Sequence, residues 1–146
     1  MARLWARTSD FESINIGDQL PILVKWDTRE SIEQFNAQAP LQVQVQRSPR
    51  EDKSGESGVL EVPAAKLTVY VVELLEKAFP PESITAPGSQ IKTEHVAPAL
   101  ENDVISFSGS VVNKREEAGL KLVECQVRVE NEQEQVVARV TVTVSF

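Results

Sequence analysis

The sequence contains very few of the side chains that build metal and nucleophilic sites. Its 146 residues include one cysteine, Cys125, and one histidine, His95. A single cysteine cannot form an intrachain disulfide, so nothing calls for an oxidising compartment. Zinc sites rich in histidine or cysteine are excluded by the same count. There is also no calcium-binding loop of the form D-x-[DN]-x-[DN]-G, so we expect no metal and no bound cofactor.

Positive charge and long apolar runs are also scarce. The chain has 15 lysines and arginines against 22 aspartates and glutamates, which gives a formal net charge of −7. That balance repels phosphate, so nucleic acid is not an expected partner. No apolar run approaches the ~20 residues of a membrane helix, and the opening residues lack the apolar core of a secretory signal. We expect a cytoplasmic protein of one domain, residues 1–146, with a loose N-terminal segment (1–10) and a mobile surface loop (48–58).

The most distinctive stretch of the sequence is PAAKLTVYVVELLEKAF, residues 63–79. Proline suits the first position of a helix, and the Pro80-Pro81 pair prevents its continuation. The run is too long for one ordinary strand and is apolar almost all the way round, which predicts a helix with most of its surface buried. Glu73, Glu76 and Lys77 should mark its exposed edge.

Most of the remaining pattern predicts β-strands. LPILVKW suits a short strand, and the Asp27-Thr28 pair that follows predicts the start of a short helix ending before Pro40. Alternation in LQVQVQ, residues 41–46, predicts a further half-buried strand. Four alternating or β-branched segments follow the long helix, at 89–98, 102–116, 119–131 and 134–146. Their spacing predicts antiparallel strands, and a sheet wrapped around a buried helix is an α+β fold.

This layout resembles the hotdog fold, and more narrowly the MaoC-like acyl-thioester hydratases and dehydratases. The resemblance covers residues 11 to 146. It rests on Ile16-Gly17-Asp18 before the first strand, on Phe35 in the short helix, on the long helix at 63–79 and on Asn102-Asp103-Val104 before a long strand. It implies a long antiparallel sheet around a central helix.

The same resemblance implies that the usual catalytic residues are missing. The family's catalytic aspartate and histidine lie in a D-x-N-P-[IL]-H stretch, which matches residues 37–42 here and places Ala37 and Gln42 at the two positions. A His-Gly pair before the central helix corresponds to Pro63 and Ala64. Acid–base groups contribute typically ~10²–10⁴-fold each, and alanine can transfer no proton. We therefore assign no catalytic residue at these positions. We expect Gln42, Ala64 and Ala65 to contact the substrate.

Other side chains could carry chemistry, although a structural role is the simpler interpretation of each. Glu73 is the main alternative candidate, because some hotdog thioesterases use a helix carboxylate; Glu76 neighbours it. His95 follows Glu94, but adjacent strand residues face opposite sides, so that carboxylate should not orient the imidazole. Cys125 should point into the core. Lys114-Arg115 could meet the phosphates of coenzyme A, or could simply be a charged hairpin end.

Three functions follow in order of preference. The resemblance implies that hotdog sheets pair edge to edge, so the first is a non-catalytic or acyl-thioester-binding subunit. Such a subunit would form a homodimer, or a heterodimer with another hotdog chain, with acyl-CoA or an acyl carrier thioester as its ligand. The second is an active hydratase or thioesterase with relocated catalytic residues, Glu73 being the candidate. The third is a lipid or small-molecule binding domain.

Overall fold

The computed structural model describes residues 2–38 and 59–146, which form a five-stranded sheet and three helices. The elements in chain order are β1 (Leu23–Trp26), α1 (Arg29–Gln38), α2 (Ala64–Ala78), α3 (Pro81–Ile84), β2 (Gln90–His95), β3 (Val104–Glu117), β4 (Leu120–Glu130) and β5 (Val136–Ser145). The α+β prediction is confirmed, as are the long helix and the four strands after it. The strand expected at 41–46 and the loop expected at 48–58 lie outside the described residues.

The strands follow the order β1-β3-β4-β5-β2, and every neighbouring pair is antiparallel. The β3–β4 hairpin turns at Ala118-Gly119, where both residues have positive φ, as a two-residue type I′ hairpin turn requires. The four-residue β1 is one edge of the sheet and the six-residue β2 is the other.

The helix α2 packs on one face of the sheet and shares one hydrophobic core with it. Its buried apolar side chains are Leu67, Val71, Leu74, Leu75 and Ala78. The strands supply alternate residues to the same core, among them Phe107, Val111, Val123, Val127, Val129, Val140, Val142 and Val144. Full burial of one such side chain contributes about 1.5–3 kcal/mol. The burial of α2 is less complete than its composition predicts, because Ala64, Ala65 and Val69 are exposed.

The short helix α1 begins where the sequence predicts, with the two polar residues before it in different roles. Thr28 caps the helix, because its hydroxyl accepts a hydrogen bond from the Ser31 amide at 3.1 Å. Asp27 instead points beneath the helix and is 4% exposed. The Asp27 carboxylate therefore lies under α1, beside the candidate functional site.

The N-terminal segment is packed against the body of the protein, which differs from the loose segment expected from the sequence. Leu4 is buried, and its amide donates to the Gln19 carbonyl at 2.8 Å. The Ala6 amide donates to the Lys77 carbonyl at the end of α2, at 2.9 Å. The apolar residues of this segment, Leu4 and Trp5 among them, show no strand or helix period from which this packing could be predicted.

Candidate functional site

The degenerate catalytic position Ala37 lies at the end of α1, and the expected substrate contacts Ala64 and Ala65 lie at the start of α2. Ala37 is exposed in the last turn of α1, and Ala64 and Ala65 are exposed in the first turn of α2. Gln42 lies outside the described residues. Among those residues, no hydrogen-bond acceptor pairs with the amides of Ala64 and Ala65, and the helix has no side-chain cap. The first turn of α2 therefore presents donors and the positive end of a helix dipole.

A buried charged network connects α1 to that first turn. The Lys66 ammonium lies 2.5 Å from Asp27 Oδ1, with the lysine and aspartate side chains 10% and 5% exposed. The same carboxylate oxygen accepts hydrogen bonds from the Tyr70 hydroxyl at 2.8 Å and the Ser31 hydroxyl at 3.1 Å. Three elements, the β1–α1 junction, α1 and α2, thus converge on one carboxylate.

The remaining contacts of Lys66 complete its environment. Its ammonium donates to the Ser31 carbonyl at 3.2 Å and lies 5.6 Å from the centre of the Phe35 ring, within cation–π range. Burial, followed by hydrogen bonding to Asp27, raises the pKa of Tyr70 above its ordinary value. Tyr70 therefore stays a neutral donor. This network holds α1 against α2, and each of its charges is paired.

The pairing of Asp27 with Lys66 was not predicted from the sequence. Asp27 has the type and position of a helix cap, and Lys66 stands one residue before a core leucine in an apolar run. One signal in the sequence indicated a partner for Lys66. Its neighbours place it on the buried side of α2, and a lysine is almost never fully buried unless it is paired.

Asn36 is a second polar residue of this region that the sequence analysis did not weigh. It stands one helical turn after the fully buried Ile32, and both polar atoms of its side chain are inaccessible to solvent. Within the described residues neither atom has a hydrogen-bond partner. A buried amide left unpaired costs roughly 1–3 kcal/mol. An uncompensated cost of this size is typical of functional sites, so Asn36 joins the candidates.

Glu73, the alternative catalytic candidate, is held in a surface ion pair. Its carboxylate lies 3.0 Å from the Lys25 ammonium of β1, and its side chain is 39% exposed. A carboxylate held by a neighbouring lysine at the surface lacks the freedom of a nucleophile. This placement favours the solvated-edge interpretation that the sequence analysis preferred. Glu76 is also exposed.

A groove lies on the other side of the α2 N-terminus, and it contains the single histidine. It encloses about 450 Å³ between the first turns of α2, residues 61–62 and the segment that follows β2. Its walls are mainly apolar, with Glu61 and His95 as its titratable side chains. Burial raises the pKa of Glu61, and the charge of His95 offsets part of that effect. In the sequence, the carboxylate next to His95 is that of Glu94. In the structure, Glu94 pairs with Arg139 on the outer face at 3.1 Å, and the carboxylate that shares the groove with His95 is that of Glu61.

The groove is held in place by backbone pairing. The Val62 amide donates to the Ala99 carbonyl at 2.7 Å, and the Glu101 amide donates to the Leu60 carbonyl at 2.8 Å. Residues 60–62 and 99–101 therefore form a short antiparallel pair that brings Glu61 next to the end of β2. Glu61 and His95 are 34 residues apart in the chain, so only this pairing brings them to one groove.

The other residues considered in the sequence have structural roles. Cys125 is fully buried, as predicted, and burial raises its pKa to about 12. Lys114 donates to the carbonyls of Phe11 and Ile14, at 2.5 and 2.7 Å. Arg115 pairs with Glu117 at 2.9 Å and Glu124 at 3.3 Å. Neither Lys114 nor Arg115 is therefore a free cation for phosphate.

The described residues contain neither a cluster of metal ligands nor a membrane-spanning helix. Across residues 2–38 and 59–146, no three His, Cys, Asp or Glu side chains are grouped so that they could hold a metal ion. No helix formed by these residues has the length and apolar character needed to cross a membrane.

Comparison with known proteins identifies the fold. No family model matches the chain, and no curated protein does. A MaoC-like dehydratase from Rhodospirillum rubrum superimposes with a TM-score of 0.68 at 17% identity, over 92% of this chain and 93% of that one. The (R)-hydratase from A. caviae involved in PHA biosynthesis gives 0.64 at 15%, over 91% and 97%. The ChsH1–ChsH2 complex from Mycobacterium tuberculosis gives 0.63 at 20%, over 90% and 98%.

These likenesses define the class of protein to which the fold belongs. The chain has the hotdog fold found in MaoC-like dehydratases and hydratases, as the sequence resemblance implied. At identities of 15–20%, the comparison establishes the fold and leaves the chemistry to be argued from the residues of this chain.

Proposed function

We propose that this protein is a hotdog subunit that binds an acyl thioester, pairs with a second hotdog chain through the open edge of β2, and supplies no catalytic pair at the family positions. The second chain is either another copy or a different hotdog protein. The observation that carries the proposal is the outer edge of β2, which no strand of the described residues covers and which lies beside the groove at the α2 N-terminus.

The geometry of β2 suits it to pairing with another strand. Among residues 2–38 and 59–146 it is the last strand of the sheet and bonds only to β5. The Val96 amide donates to the Val137 carbonyl, and bonding alternates along an antiparallel pair. The amides of Ile91, Thr93 and His95 therefore face the open edge. Such a row of free donors and acceptors is a template for another strand.

A structural neighbour supports assembly with a different chain. The ChsH1–ChsH2 structure is a complex, and this chain resembles it over 90% of its length. A subunit without catalytic residues of its own can contribute walls to a site that its partner completes.

The family positions support the absence of the usual catalysis. Ala37 carries no proton donor or acceptor, and Gln42 can hold water by hydrogen bonds but cannot accept its proton at neutral pH. Asp27, the nearby buried carboxylate, is fully engaged by Lys66, Tyr70 and Ser31. We expect the purified protein to hydrate crotonyl-CoA no faster than buffer does. Clear turnover would contradict this part of the proposal.

Light scattering after gel filtration tests the assembly. A homodimer would have a mass of about 32 kDa, twice the 16.2 kDa of one chain. Thr93→Pro removes an amide from the open edge while leaving the bonds to β5, and should give a folded monomer. Thr93→Ser keeps the amide and serves as the control. A wild-type monomer would mean that the second chain is a different hotdog protein. Dimerisation of the proline variant would contradict pairing through β2.

A further inference from the structure

The groove beside α2 has the size and lining of a ligand site. Its volume of about 450 Å³ lies within the range of small-molecule sites, roughly 300–1,000 Å³. The apolar side chains of the lining can take an alkyl chain; they are Val62, Leu67, Val96, Ala97 and Pro98. An apolar ligand would gain free energy by burying its alkyl surface there.

The charge in this groove restricts which apolar ligands can enter. Glu61 and His95 are the titratable side chains of its lining. Glu61 supplies a carboxylate to this groove, in a partly desolvated setting where repulsion between two carboxylates is stronger than in water. A free fatty acid would bring its own carboxylate toward Glu61.

We propose that Glu61 and His95 make this groove selective for an uncharged acyl group, such as a thioester or ester, over the corresponding free carboxylate. The carbonyl oxygen of a thioester carries no net charge and can accept a hydrogen bond from a ring N–H of His95. The inference rests on the proposed function, because it assigns the site and the selectivity of the acyl thioester binding proposed above.

The position of the groove agrees with the proposed assembly. His95 is the last residue of β2, and it shares the inner side of that strand with Ile91, which packs against the core. A second chain added along β2 would pass next to His95, which is part of the groove lining. Binding should therefore be measured on the assembled protein at the concentration used to establish its mass.

Calorimetric binding of matched ligands tests this selectivity. Acyl-pantetheine and free acid are compared at chain lengths C4, C8 and C12, because pantetheine lacks the phosphates of coenzyme A. The wild type should bind at least one thioester and bind its free acid about tenfold more weakly, or worse still. Glu61→Gln should strengthen binding of the free acid by about tenfold and leave the thioester within twofold. Glu94→Gln, an exposed acid on the outer face, is the control and should change neither.

The single histidine reports where the ligand binds. Its ring protons give one NMR signal, which should shift saturably with the thioester at the concentrations that calorimetry gives. His95→Gln keeps a hydrogen-bond donor, and should retain most thioester affinity.

Several results would overturn the inference, and they differ from failure of the proposed function. Equal affinity of the wild type for thioester and free acid would overturn it, and so would a Glu61→Gln variant that binds the acid no better. Thioester binding without a shift at His95 would place the ligand elsewhere. In these cases thioester binding persists and the proposed function stands. If no thioester binds to the assembled protein, the acyl-binding part of the proposed function fails as well.

Discussion

The Lys66 ammonium and the Asp27 carboxylate form a buried ion pair, 2.5 Å apart, that joins the first turn of α2 to the start of α1. The Tyr70 and Ser31 hydroxyls donate to the same carboxylate oxygen, so the negative charge is matched by one cation and two neutral donors. The pair lies between the two helices whose ends carry the candidate residues Ala37, Ala64 and Ala65. Its effect on stability can be measured.

Lys66→Met should destabilise the protein by about 3–5 kcal/mol, because it leaves the Asp27 carboxylate buried without a counterion. Urea unfolding measures the change. The double variant Lys66→Met, Asp27→Leu should recover much of the loss, since a well-packed apolar pair can replace a buried ion pair at little cost. A single variant within 1 kcal/mol of wild type would show that the pair is solvated in solution.

Asn36→Leu should raise the stability by about 1 kcal/mol, because it removes two buried polar atoms that have no partner within the described residues. Leucine also has the higher helix propensity, so Gln34→Leu at an exposed position of α1 measures that contribution separately. Thermal unfolding of both variants gives the comparison. A loss of stability in Asn36→Leu larger than that in the control would mean that the amide has a partner in solution.

Cys125 should be unreactive in the folded protein, because its thiol is buried and its pKa is raised to about 12. Ellman's reagent at pH 8 should label the thiol only after denaturant is added. Rapid labelling of the native protein would contradict its placement in the core.

The same thiol should make stability depend on pH in the alkaline range. The unfolded thiol ionises near pH 9 and the folded one only near 12, so ionisation favours the unfolded chain between these values. The free energy of unfolding should therefore fall as the pH rises through that window, and Cys125→Val should fall less. Comparing the two proteins cancels the lysines and tyrosine that titrate in the same range. Parallel curves for both would contradict the raised pKa.

Glu73→Gln should leave both stability and any measured thioester turnover nearly unchanged. The carboxylate is paired with Lys25 at the surface, and exposed pairs contribute only about 0–1 kcal/mol. Glu76→Gln, another exposed acid on the same helix, is the matched control for the loss of a charge. A turnover that Glu73→Gln abolishes and Glu76→Gln retains would make Glu73 a catalytic residue and would revive the relocated-enzyme hypothesis.

Local patterning predicted the fold because its signals lie within single elements. The apolar run at 63–79 became α2 (Ala64–Ala78), and the alternation of Val140, Val142 and Val144 placed the core side of β5 correctly. Such patterns depend on side-chain periods of 3.6 and 2 residues, which the chain shows without reference to its partners.

The candidate site was predicted only in part, because its contacts join distant residues. The roles of Ala37, Ala64 and Ala65 stay predictions from the family resemblance, and the structure places these residues at the ends of α1 and α2. The pairing of Asp27 with Lys66 was not predicted, nor was the pairing of Glu61 with His95 in one groove.

The α+β class, the order of the elements and the inward direction of Cys125 could therefore be predicted from the chain alone. Which polar side chains meet depends on how the elements pack. Lys66 and Asp27 are 39 residues apart, and Glu61 and His95 are 34 apart. Packing of α1 on α2 brings the first pair together, and the pairing of residues 60–62 with 99–101 does so for the second. No pattern within one element predicts these pairings, because the two partners of each pair lie in different elements.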